Sequence, residues 1–411
     1  MSILGKQSIG KENKGSALTI GKEAREAKAL NPNVIDSTIG MLFDEDGKFY
    51  TFKMVDKIIS ELTPKQKFGY PSTAGDDRFH EAIKRWVFRD YYDDITTKMQ
   101  TKVIATPGGT GAICSTLTNY LSLGDKALFP NYMWGNYTQL AREANLGYDT
   151  YNLFDEDGNF NVDDLRKKCN EMKKEQGRVL VVINDPCQNP TGYIMKYTEW
   201  MQVIDIANSI SRDGTPFVLL YDMAYIDYDS RGFEASRKNI DLLTNLGDNA
   251  IAILAFSGSK TLGLYGLRIG AQIAICKNKS DADEFFAANE YSGRGKWSSS
   301  SNLGMNIITE TLLNHKEEFE EELDYARNLL IKRANTFIDE ANKIGLKSLP
   351  YQCGFFVTIP CADPKAVYEK LKERGVYIIP LKNVIRVTLS SITIPEIVRI
   401  VKIIKEVLNE Q

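Results

Sequence analysis

The chain has 411 residues, of which 43% are hydrophobic, 26% charged and 10% aromatic, and this length accommodates roughly two to three domains. The composition excludes a disordered chain, a collagen-like repeat and a small disulfide scaffold. Because 51 basic residues are balanced by 54 acidic ones, for a net charge of -3, we expect a small-molecule ligand, and neither nucleic acid nor a membrane, as partner.

Cysteine and histidine usage gives no sign of a metal site. The six cysteines are scattered without a Cys-x-x-Cys pair, which is typical of free thiols in a reducing compartment. The two histidines, His80 and His315, lie in separate charged stretches, so we expect no metal, and a Ser-His-Asp triad is disfavoured. We find neither a signal-like apolar segment at the N-terminus nor an apolar window of about 18 residues, which predicts a cytoplasmic protein.

The first two thirds of the chain alternate between helical and strand-like patterns. Residues up to about 35 form a polar arm followed by a short amphipathic helix. From about residue 75, amphipathic stretches at 76–91 and 111–123 alternate with short apolar runs, namely TKVIAT, KALFP, RVLVVIND, PFVLLYD, AIAILAF and IGAQIAIC. Such runs, separated by helices, predict an α/β domain with a mostly parallel sheet covered by helices on both faces.

The last third has a different order of elements. A long charged helical stretch after residue 305 leads into GFFVTIP, a short helix, VYIIPL, VIRVTLS and a final amphipathic helix. This order predicts a smaller α+β domain, to which the N-terminal segment returns. We place the N-terminal arm and part of the small domain at 1–50, the large domain at 51–315 and the small C-terminal domain at 316–411.

Unusual residues follow several of the predicted strands, and ligands of open parallel sheets bind beyond the carboxyl ends of the strands. In TPGGTG, Gly109 and Thr110 lie between a strand and a helix, where exposed backbone N–H groups favour a phosphate. A plain glycine-rich turn is the alternative, because the chain lacks both the P-loop and the dinucleotide-binding glycine patterns.

Two further strand ends carry an amide and a carboxylate. Asn189 lies in the NPTG segment, where Asn-Pro ordinarily marks a turn, and a cis bond there could direct its side chain at a ligand. Asp222 ends a strongly apolar strand, where a carboxylate is costly unless a cation or several donors meet it, and Tyr225 follows three residues later. A helix-capping or ion-paired aspartate and an ordinary core tyrosine are the alternatives.

The next strand ends in SGSK and supplies a nucleophile. Lys260 follows the small residues Ser257 and Ser259, and a partly desolvated lysine has a lowered pKa and can form a Schiff base. Arg268, eight residues later, suits an anion through its planar fork. Taken singly, a solvated lysine and an ion-paired arginine are the alternatives.

Taken together and in this order, these residues resemble the pyridoxal-phosphate-dependent aminotransferases of class I, the aspartate and aromatic aminotransferase group. The resemblance extends from about residue 17 to the C-terminus. It implies fold type I, with pyridoxal 5'-phosphate bound in the large domain at 51–315.

The resemblance assigns roles to the strand-end residues. Lys260 resembles the lysine that holds the cofactor as an internal aldimine and then moves the proton at the substrate Cα. Asp222 resembles the partner of the pyridine nitrogen, and Tyr225 and Asn189 the donors to the phenolic oxygen. Trp134, in NYMWGNY, matches the aromatic residue that stacks on the ring. The phosphate would be held by Gly109, Thr110, Ser257, Ser259 and Arg268, and by Tyr70 of a second subunit.

Substrate contacts are implied by the same resemblance. Arg386 in NVIRVTL matches the arginine that binds the α-carboxylate, with Gly40 in STIGMLF contributing a backbone N–H. Arg294, in SGRGKW, falls where aspartate-type enzymes reach across the dimer to the distal carboxylate, although an exposed arginine without a partner is the alternative. Trp134 and Asn189 would also contact the substrate, so that the implied substrate-binding set is Gly40, Trp134, Asn189, Arg294 and Arg386.

The sequence therefore predicts a homodimeric aminotransferase with shared active sites, acting by ping-pong chemistry on amino acids and 2-oxo acids. Aspartate with 2-oxoglutarate is the first substrate pair and aromatic amino acids come next. A β-lyase or decarboxylase on the same scaffold is the alternative, and a non-catalytic cofactor-binding regulator is a remote one.

One residue departs from the family pattern. Where the aspartate enzymes often have a histidine three residues after the stacking tryptophan, this chain has Tyr137, so we expect Asp222 to lose a neighbouring polar group. The first 16 residues have no counterpart in the family.

Overall fold

The computed structural model describes residues 2–5, 8–12 and 17–410; residues 1, 6, 7 and 13–16 of the predicted N-terminal arm lie outside the described residues. Its helices are α1 Ala17–Leu30, α2 Lys53–Glu61, α3 Pro64–Phe68, α4 Asp77–Phe88, α5 Tyr92–Lys98, α6 Gly108–Tyr120, α7 Asn136–Glu143, α8 Val162–Gln176, α9 Tyr197–Ser211, α10 Phe233–Asp241, α11 Gly258–Thr261, α12 Lys279–Lys296, α13 Asn302–Asn314, α14 Lys316–Lys343, α15 Pro364–Glu373 and α16 Ile394–Asn409.

The strands are β1 Ile35–Asp36, β2 Gln100–Thr106, β3 Lys126–Pro130, β4 Gly147–Tyr151, β5 Val179–Asn184, β6 Phe217–Asp222, β7 Ala250–Ser257, β8 Gly270–Cys276, β9 Phe356–Pro360, β10 Val376–Tyr377, β11 Ile379–Pro380 and β12 Val384–Thr388.

A seven-stranded sheet with the order β2-β8-β7-β6-β5-β3-β4 forms the centre of the larger part of the chain. β3 to β7 pair in parallel, whereas β8 runs antiparallel to both of its neighbours, β2 and β7. Every residue of β5, β6, β7 and β8 is buried. Because successive side chains of a strand point to opposite faces, both faces of these strands are covered. The predicted α/β class with a mostly parallel sheet is confirmed.

The predicted apolar runs coincide with six strands of this sheet, and the amphipathic stretches with α4 and α6. The exception is β4, whose sequence GYDTY has only its last residue buried. β4 pairs with β3 alone and lies at the edge of the sheet, so its polar residues reach solvent and leave no apolar run to recognise.

Two compact units divide the chain. One comprises residues 1–48, 332–349 and 355–411, and the other residues 49–331 and 350–354. The sequence predicts a large domain at 51–315 and a small one at 316–411. The boundary between the two compact units lies within α14, a continuous helix of 28 residues whose charged sequence has no break to mark it.

The smaller unit contains the antiparallel sheet β11-β12-β9 and the short parallel pair β1-β10. Ile35 of the N-terminal segment lies opposite Val376 in this pair. Arg333, which is fully buried, donates to the backbone oxygens of Phe43, Asp44 and Ser390. The chain segments of this unit are thus joined by backbone pairing and by one buried guanidinium.

Two features are absent from the described residues. None of the described helices is long and apolar enough to cross a membrane. Within the same residues, no group of three or more His, Cys, Asp or Glu side chains could hold a metal ion.

Candidate active site

A cavity of about 180 Å³ lies at the carboxyl ends of β5, β6 and β7 in the larger unit. Since those ends meet at one edge of the sheet, the polar residues that follow the strands converge there. The cavity is lined by Gly109, Thr110, Ile113, Trp134, Asn184, Asn189, Asp222, Ala224, Tyr225, Ser257, Ser259, Lys260, Tyr265 and Arg268.

One end of the cavity is built to bind an anion. Helix α6 begins here, and its N-cap residue Pro107 makes no side-chain capping bond, so the N–H groups of the first turn, including Gly109 and Thr110, have no partner within the helix. Arg268 donates to Ser259 Oγ at 3.0 Å and to Thr110 Oγ1 at 3.4 Å. Burial lowers the pKa of the Arg268 guanidinium, and an anion would offset this cost.

Gly108 allows Arg268 to approach the start of α6. A Cβ at Gly108 would lie 2.8 Å from Arg268 Nη2, and the φ of +71° at this position also favours glycine. Arg268 itself has a φ of +52°, which is rare for residues other than glycine. The positive φ therefore favours glycine at this position of the predicted phosphate turn, and the absence of a Cβ leaves room for the guanidinium.

Lys260 lies in α11, directly after β7, between two aromatic rings. Its Nζ is 5.5 Å from the centroid of the Tyr225 ring and 4.9 Å from that of the Tyr265 ring. Tyr228 Oη donates to the backbone oxygen of Lys260 at 3.0 Å. The amine is thus held beside aromatic walls on a fixed backbone, which is the partly desolvated environment expected of a nucleophilic lysine.

Asp222 is buried at the end of β6. Burial raises the pKa of this carboxyl to about 6, while the Tyr137 hydroxyl, the Ala224 N–H and the charge of Lys260 act in the opposite direction. Tyr137 Oη donates to Asp222 Oδ2 at 2.5 Å, and Ala224 N donates to Oδ1 at 3.2 Å. Our expectation that Tyr137 deprives Asp222 of a polar neighbour was wrong. The phenol is longer than the imidazole of a histidine, and its hydroxyl hydrogen-bonds the carboxylate.

Asn189 is positioned by a second asparagine. Its backbone N donates to Asn184 Oδ1 at 2.7 Å, and Asn184 Nδ2 donates to the backbone oxygen of Asp222 at 2.9 Å. The peptide bond between Asn189 and Pro190 is cis. Asn184 therefore connects the end of β5 to the neighbouring strand and to the NPTG segment.

Trp134 lies just before α7 and forms part of the cavity wall. Its ring meets the Tyr137 ring edge to face, with 5.6 Å between the centroids and an interplanar angle of 84°. The indole is thus supported from behind by the same tyrosine that hydrogen-bonds Asp222.

Two predicted site residues of the larger unit lie outside this cavity lining. The side chain of Tyr70 is 97% exposed. Arg294, near the end of α12, is exposed, and its Nη1 donates to Ser298 Oγ at 2.6 Å. No acidic partner of Arg294 is found in the described part of the chain, and its role in substrate binding stays a prediction.

The remaining two predicted residues, Gly40 and Arg386, belong to the smaller unit. Arg386 lies in β12 and is 8% exposed. Its Nη2 donates to the backbone oxygen of Thr38 at 2.9 Å, and its guanidinium lies 4.3 Å from the centroid of the Phe356 ring. These contacts fix a guanidinium within the small unit.

Sequence reasoning missed two residues that line the cavity, Asn184 and Tyr265, and misjudged a third residue beside it, Tyr137. Asn184 is a polar residue at the end of an apolar strand, which is the same signal that identified Asp222. Tyr265 lies in the short segment between Lys260 and Arg268, and its position between two predicted site residues was a signal that it lines the same cavity. The role of Tyr137 had no sequence signal of its own, because nothing in the chain shows that a tyrosine hydroxyl reaches the end of β6.

The sequence of this chain matches a known protein family and several known proteins. The sequence model of the family described as "Aminotransferase class I and II" matches residues 33–404. Aspartate aminotransferase of Escherichia coli (strain K12) is 24% identical over 320 residues, which cover 76% of this chain and 78% of that protein. Tyrosine aminotransferase of Rhizobium meliloti (strain 1021) is 25% identical over 358 residues, covering 85% and 88%.

A solved structure is similar over the full length of both chains. The aminotransferase from Anaerococcus prevotii has a TM-score of 0.95, with 29% identity and 100% coverage of each chain. An aromatic amino acid aminotransferase from Burkholderia cenocepacia has a TM-score of 0.81 at 20% identity, which shows the shared fold.

Proposed function

The chain belongs to the class I and II aminotransferase family, and from this premise we propose that it moves an amino group from aspartate, or secondly from an aromatic amino acid, to 2-oxoglutarate by ping-pong chemistry. The proposal rests on three groups that line one cavity, namely the amine of Lys260, the carboxylate of Asp222 and the guanidinium of Arg268.

Pyridoxal phosphate is the cofactor of this family, and the residues fit it. The uncapped start of α6 and Arg268 suit its phosphate. The buried carboxylate of Asp222 accepts hydrogen bonds from two neutral donors, Tyr137 and Ala224, and still suits a cationic ring N–H. When bound, the cofactor supplies a protonated ring that withdraws electrons from the substrate Cα.

We assign cofactor binding and proton transfer to the following residues of the chain. Lys260 would bind the cofactor and move the proton at the substrate Cα. Asp222 would accept the hydrogen bond of the ring nitrogen, and Asn189 and Tyr225 would donate to the phenolic oxygen. Trp134 would cover one face of the ring. The phosphate would be bound by Gly109, Thr110, Ser257, Ser259 and Arg268.

Substrate carboxylates need their own cations. We assign the α-carboxylate to Arg386 with the Gly40 N–H, because a planar guanidinium fixed by its neighbours binds a carboxylate through two hydrogen bonds. We assign the distal carboxylate of aspartate to Arg294, whose exposed side chain contacts a neutral serine hydroxyl. Without Arg294, an aromatic side chain would bind with little loss.

A homodimer follows from the same assignment. Tyr70 and Arg294 lie outside the cavity lining of their own chain. Large apolar side chains of the same unit are unusually exposed, with values of 83% for Phe68, 97% for Tyr70 and 84% for Tyr291. Burying these apolar side chains against a second subunit would be favourable. We propose that a second subunit covers them and receives Tyr70 and Arg294 in its own site.

The first test removes the amine. Lys260→Ala should abolish amino transfer and the visible absorbance of the lysine-bound cofactor, whereas Lys277→Ala, which removes an exposed amine outside the cavity, should change neither. The product also matters: a new amino acid formed from 2-oxoglutarate supports the proposal, whereas release of ammonia, pyruvate or carbon dioxide without it indicates a lyase or decarboxylase.

The second test addresses substrate choice with a panel of amino donors and 2-oxoglutarate. Arg294→Ala should lower kcat/KM for aspartate by roughly 30- to several thousand-fold, equivalent to about 2–5 kcal/mol, and should affect aromatic donors much less. Arg142→Ala, another exposed arginine, serves as the control. An equal loss for aspartate and aromatic donors would contradict the assignment.

The shared site can be tested by subunit mixing. Lys260→Ala and Arg294→Ala subunits each lack one group, but a mixed dimer has one site with both. Random mixing of two activity-poor variants should therefore restore about one quarter of wild-type activity toward aspartate. No recovery, despite mixed dimers shown by mass spectrometry, would contradict a site completed by Arg294 of the second subunit.

A further inference from the structure

Tyr137 is buried beside two residues that line the cavity, Asp222 and Trp134. It lies in α7, is 0% exposed, and its backbone N donates to the Trp134 oxygen at 3.0 Å. Its ring packs against Phe129, with 5.4 Å between the centroids, and against the edge of Trp134. A tyrosine confined in this way has one place for its hydroxyl, which is Asp222 Oδ2.

The hydrogen bonds of Asp222 leave room for a ligand. A carboxylate has about four acceptor positions, and here each oxygen accepts one bond, from Tyr137 at 2.5 Å and from the Ala224 N–H at 3.2 Å. The backbone oxygen of Asp222 accepts from Asn184, which fixes the end of the strand. The carboxylate is therefore held at both oxygens while it keeps acceptor capacity for a donor in the cavity.

Of the two groups in this bond, only Asp222 titrates near neutral pH. Burial and the negative charge of Asp222 keep the pKa of Tyr137 well above 10, so its hydroxyl stays a donor. The other titratable or charged groups near the pair are Lys260, Tyr225 and Tyr151, with Arg268 also lining the cavity. The Tyr137 hydroxyl opposes the rise that burial causes in the pKa of Asp222.

We propose that Tyr137 is a positioning residue that acts through Asp222: its hydroxyl keeps the carboxylate charged and directed so that it binds the ring nitrogen of the cofactor. This inference rests on the proposed function, since it assumes that Asp222 meets that nitrogen. Tyr137 itself does not line the cavity; it supports two residues that do, Asp222 by a hydrogen bond and Trp134 by ring packing.

The test measures cofactor affinity rather than turnover. Apoprotein is titrated with pyridoxal phosphate from pH 5 to pH 8, and the dissociation constant is followed by protein fluorescence. Tyr137→Phe should weaken binding at pH 7 by about 10- to 100-fold, the cost of a hydrogen bond to a charged group. The pH below which affinity falls should also move upward, because the Asp222 carboxyl then protonates more readily.

Tyr151→Phe is the matched control. Tyr151 is also a buried tyrosine of the larger unit, and its hydroxyl donates to the backbone oxygen of Val182 at 3.2 Å. Loss of either hydroxyl should lower thermal stability to a similar degree, but only Tyr137→Phe should change the pH dependence of cofactor binding. Superimposable pH profiles for wild type and Tyr137→Phe would overturn the proposal.

A cofactor analogue with carbon in place of the ring nitrogen separates positioning from packing. It offers Asp222 no ring N–H, so wild type and Tyr137→Phe should bind it equally. If Tyr137→Phe weakened the binding of the analogue and of pyridoxal phosphate by the same factor, the hydroxyl would act on packing alone. This result would overturn the inference.

A double-mutant cycle guards against a variant that folds poorly. On an Asp222→Asn background, Tyr137→Phe should bring no further loss of affinity, because the charge that it supports is already gone; additive losses would overturn the inference. Wild-type protein that fails to bind pyridoxal phosphate would refute the proposed function as well, whereas normal wild-type binding with an unaffected Tyr137→Phe variant refutes only the role of Tyr137.

Discussion

Two buried carboxylates close together in the chain, Asp222 and Asp227, differ in charge environment. Asp222 is 5% exposed and Asp227 1%. Burial raises the pKa of Asp222 to about 6. Burial acts on Asp227 in the same direction, but Arg237 and a hydrogen bond from Thr261 bring its pKa below the usual value. Equal burial thus gives opposite outcomes, and the neighbouring cations decide which.

Three side chains of the protein contact the carboxylate of Asp227. Arg237 forms a buried ion pair with it, Thr261 Oγ1 donates to it at 2.5 Å, and Trp86 Nε1 donates at 3.2 Å. Since Thr261 follows Lys260 directly, this cluster also fixes the backbone beneath the amine. Asp227 is paired with Arg237 inside the fold, whereas the hydrogen-bond donors to Asp222 are neutral groups, as its proposed binding of a cationic ring nitrogen requires.

The largest expected effect comes from Asp222. At saturating pyridoxal phosphate, Asp222→Ala should lower kcat by roughly 10³-fold, because the ring nitrogen loses its only proposed anionic partner. Absorbance of the loaded protein checks that cofactor is still present, and steady-state kinetics give kcat. A variant that keeps the wild-type kcat would show that Asp222 does not have the proposed role at the ring nitrogen.

Asp227→Ala should chiefly destabilise the protein. It leaves the Arg237 guanidinium buried without its anion, which costs about 3–5 kcal/mol of unfolding free energy. Chemical denaturation of the apoprotein measures this loss, and Asp213→Ala, at an exposed ion pair with Lys173, should change stability little. If Asp227→Ala lowered kcat and left stability intact, the contrast between the two carboxylates would be reversed.

The smallest effect concerns pH. Because the pKa of Asp222 is raised to about 6 on folding, the folded apoprotein holds a proton that the unfolded chain loses between about pH 4 and pH 6. This group therefore lowers the unfolding free energy as the pH rises through that window, by about 3 kcal/mol at most. The lowered pKa of Asp227 has the opposite sign, since its stabilisation is lost as the pH falls.

Asp222→Asn isolates this contribution. The variant cannot ionise at position 222, so its stability relative to wild type should increase from pH 4.5 to pH 7.5. Urea denaturation of both apoproteins at the two pH values measures the change. A difference that is independent of pH would mean that Asp222 titrates normally in the folded chain.

Much of the site could be predicted because its residues follow strands directly. Asn189, Asp222 and Lys260 each come after an apolar run whose burial and direction the sequence indicates. The topology of a parallel sheet then brings the carboxyl ends of such runs together. The ten cavity residues that we had proposed as cofactor contacts within one chain all line the observed cavity.

Other features depend on distances that no local pattern encodes. The Tyr137 hydroxyl meets Asp222 across a separation of 85 residues in the chain. β4 escaped notice because an edge strand needs no apolar run, and the division within α14 because a continuous helix has no boundary signal. The proposed role of Arg294 in substrate choice requires a second subunit, which the pattern of one chain does not describe.

The reversed direction of β8 has a consequence for the site. Parallel neighbours need a long crossover, whereas antiparallel β7 and β8 are closed by residues 258–269 alone, with Ser257 opposite Gly270 and the Gly258 N–H donating to the Ile269 oxygen at 3.0 Å. Lys260 and Arg268 both belong to this closed segment. The proposed nucleophile and the proposed phosphate-binding arginine thus lie on one segment of 12 residues whose two ends are joined by strand pairing, which limits how far apart they can lie.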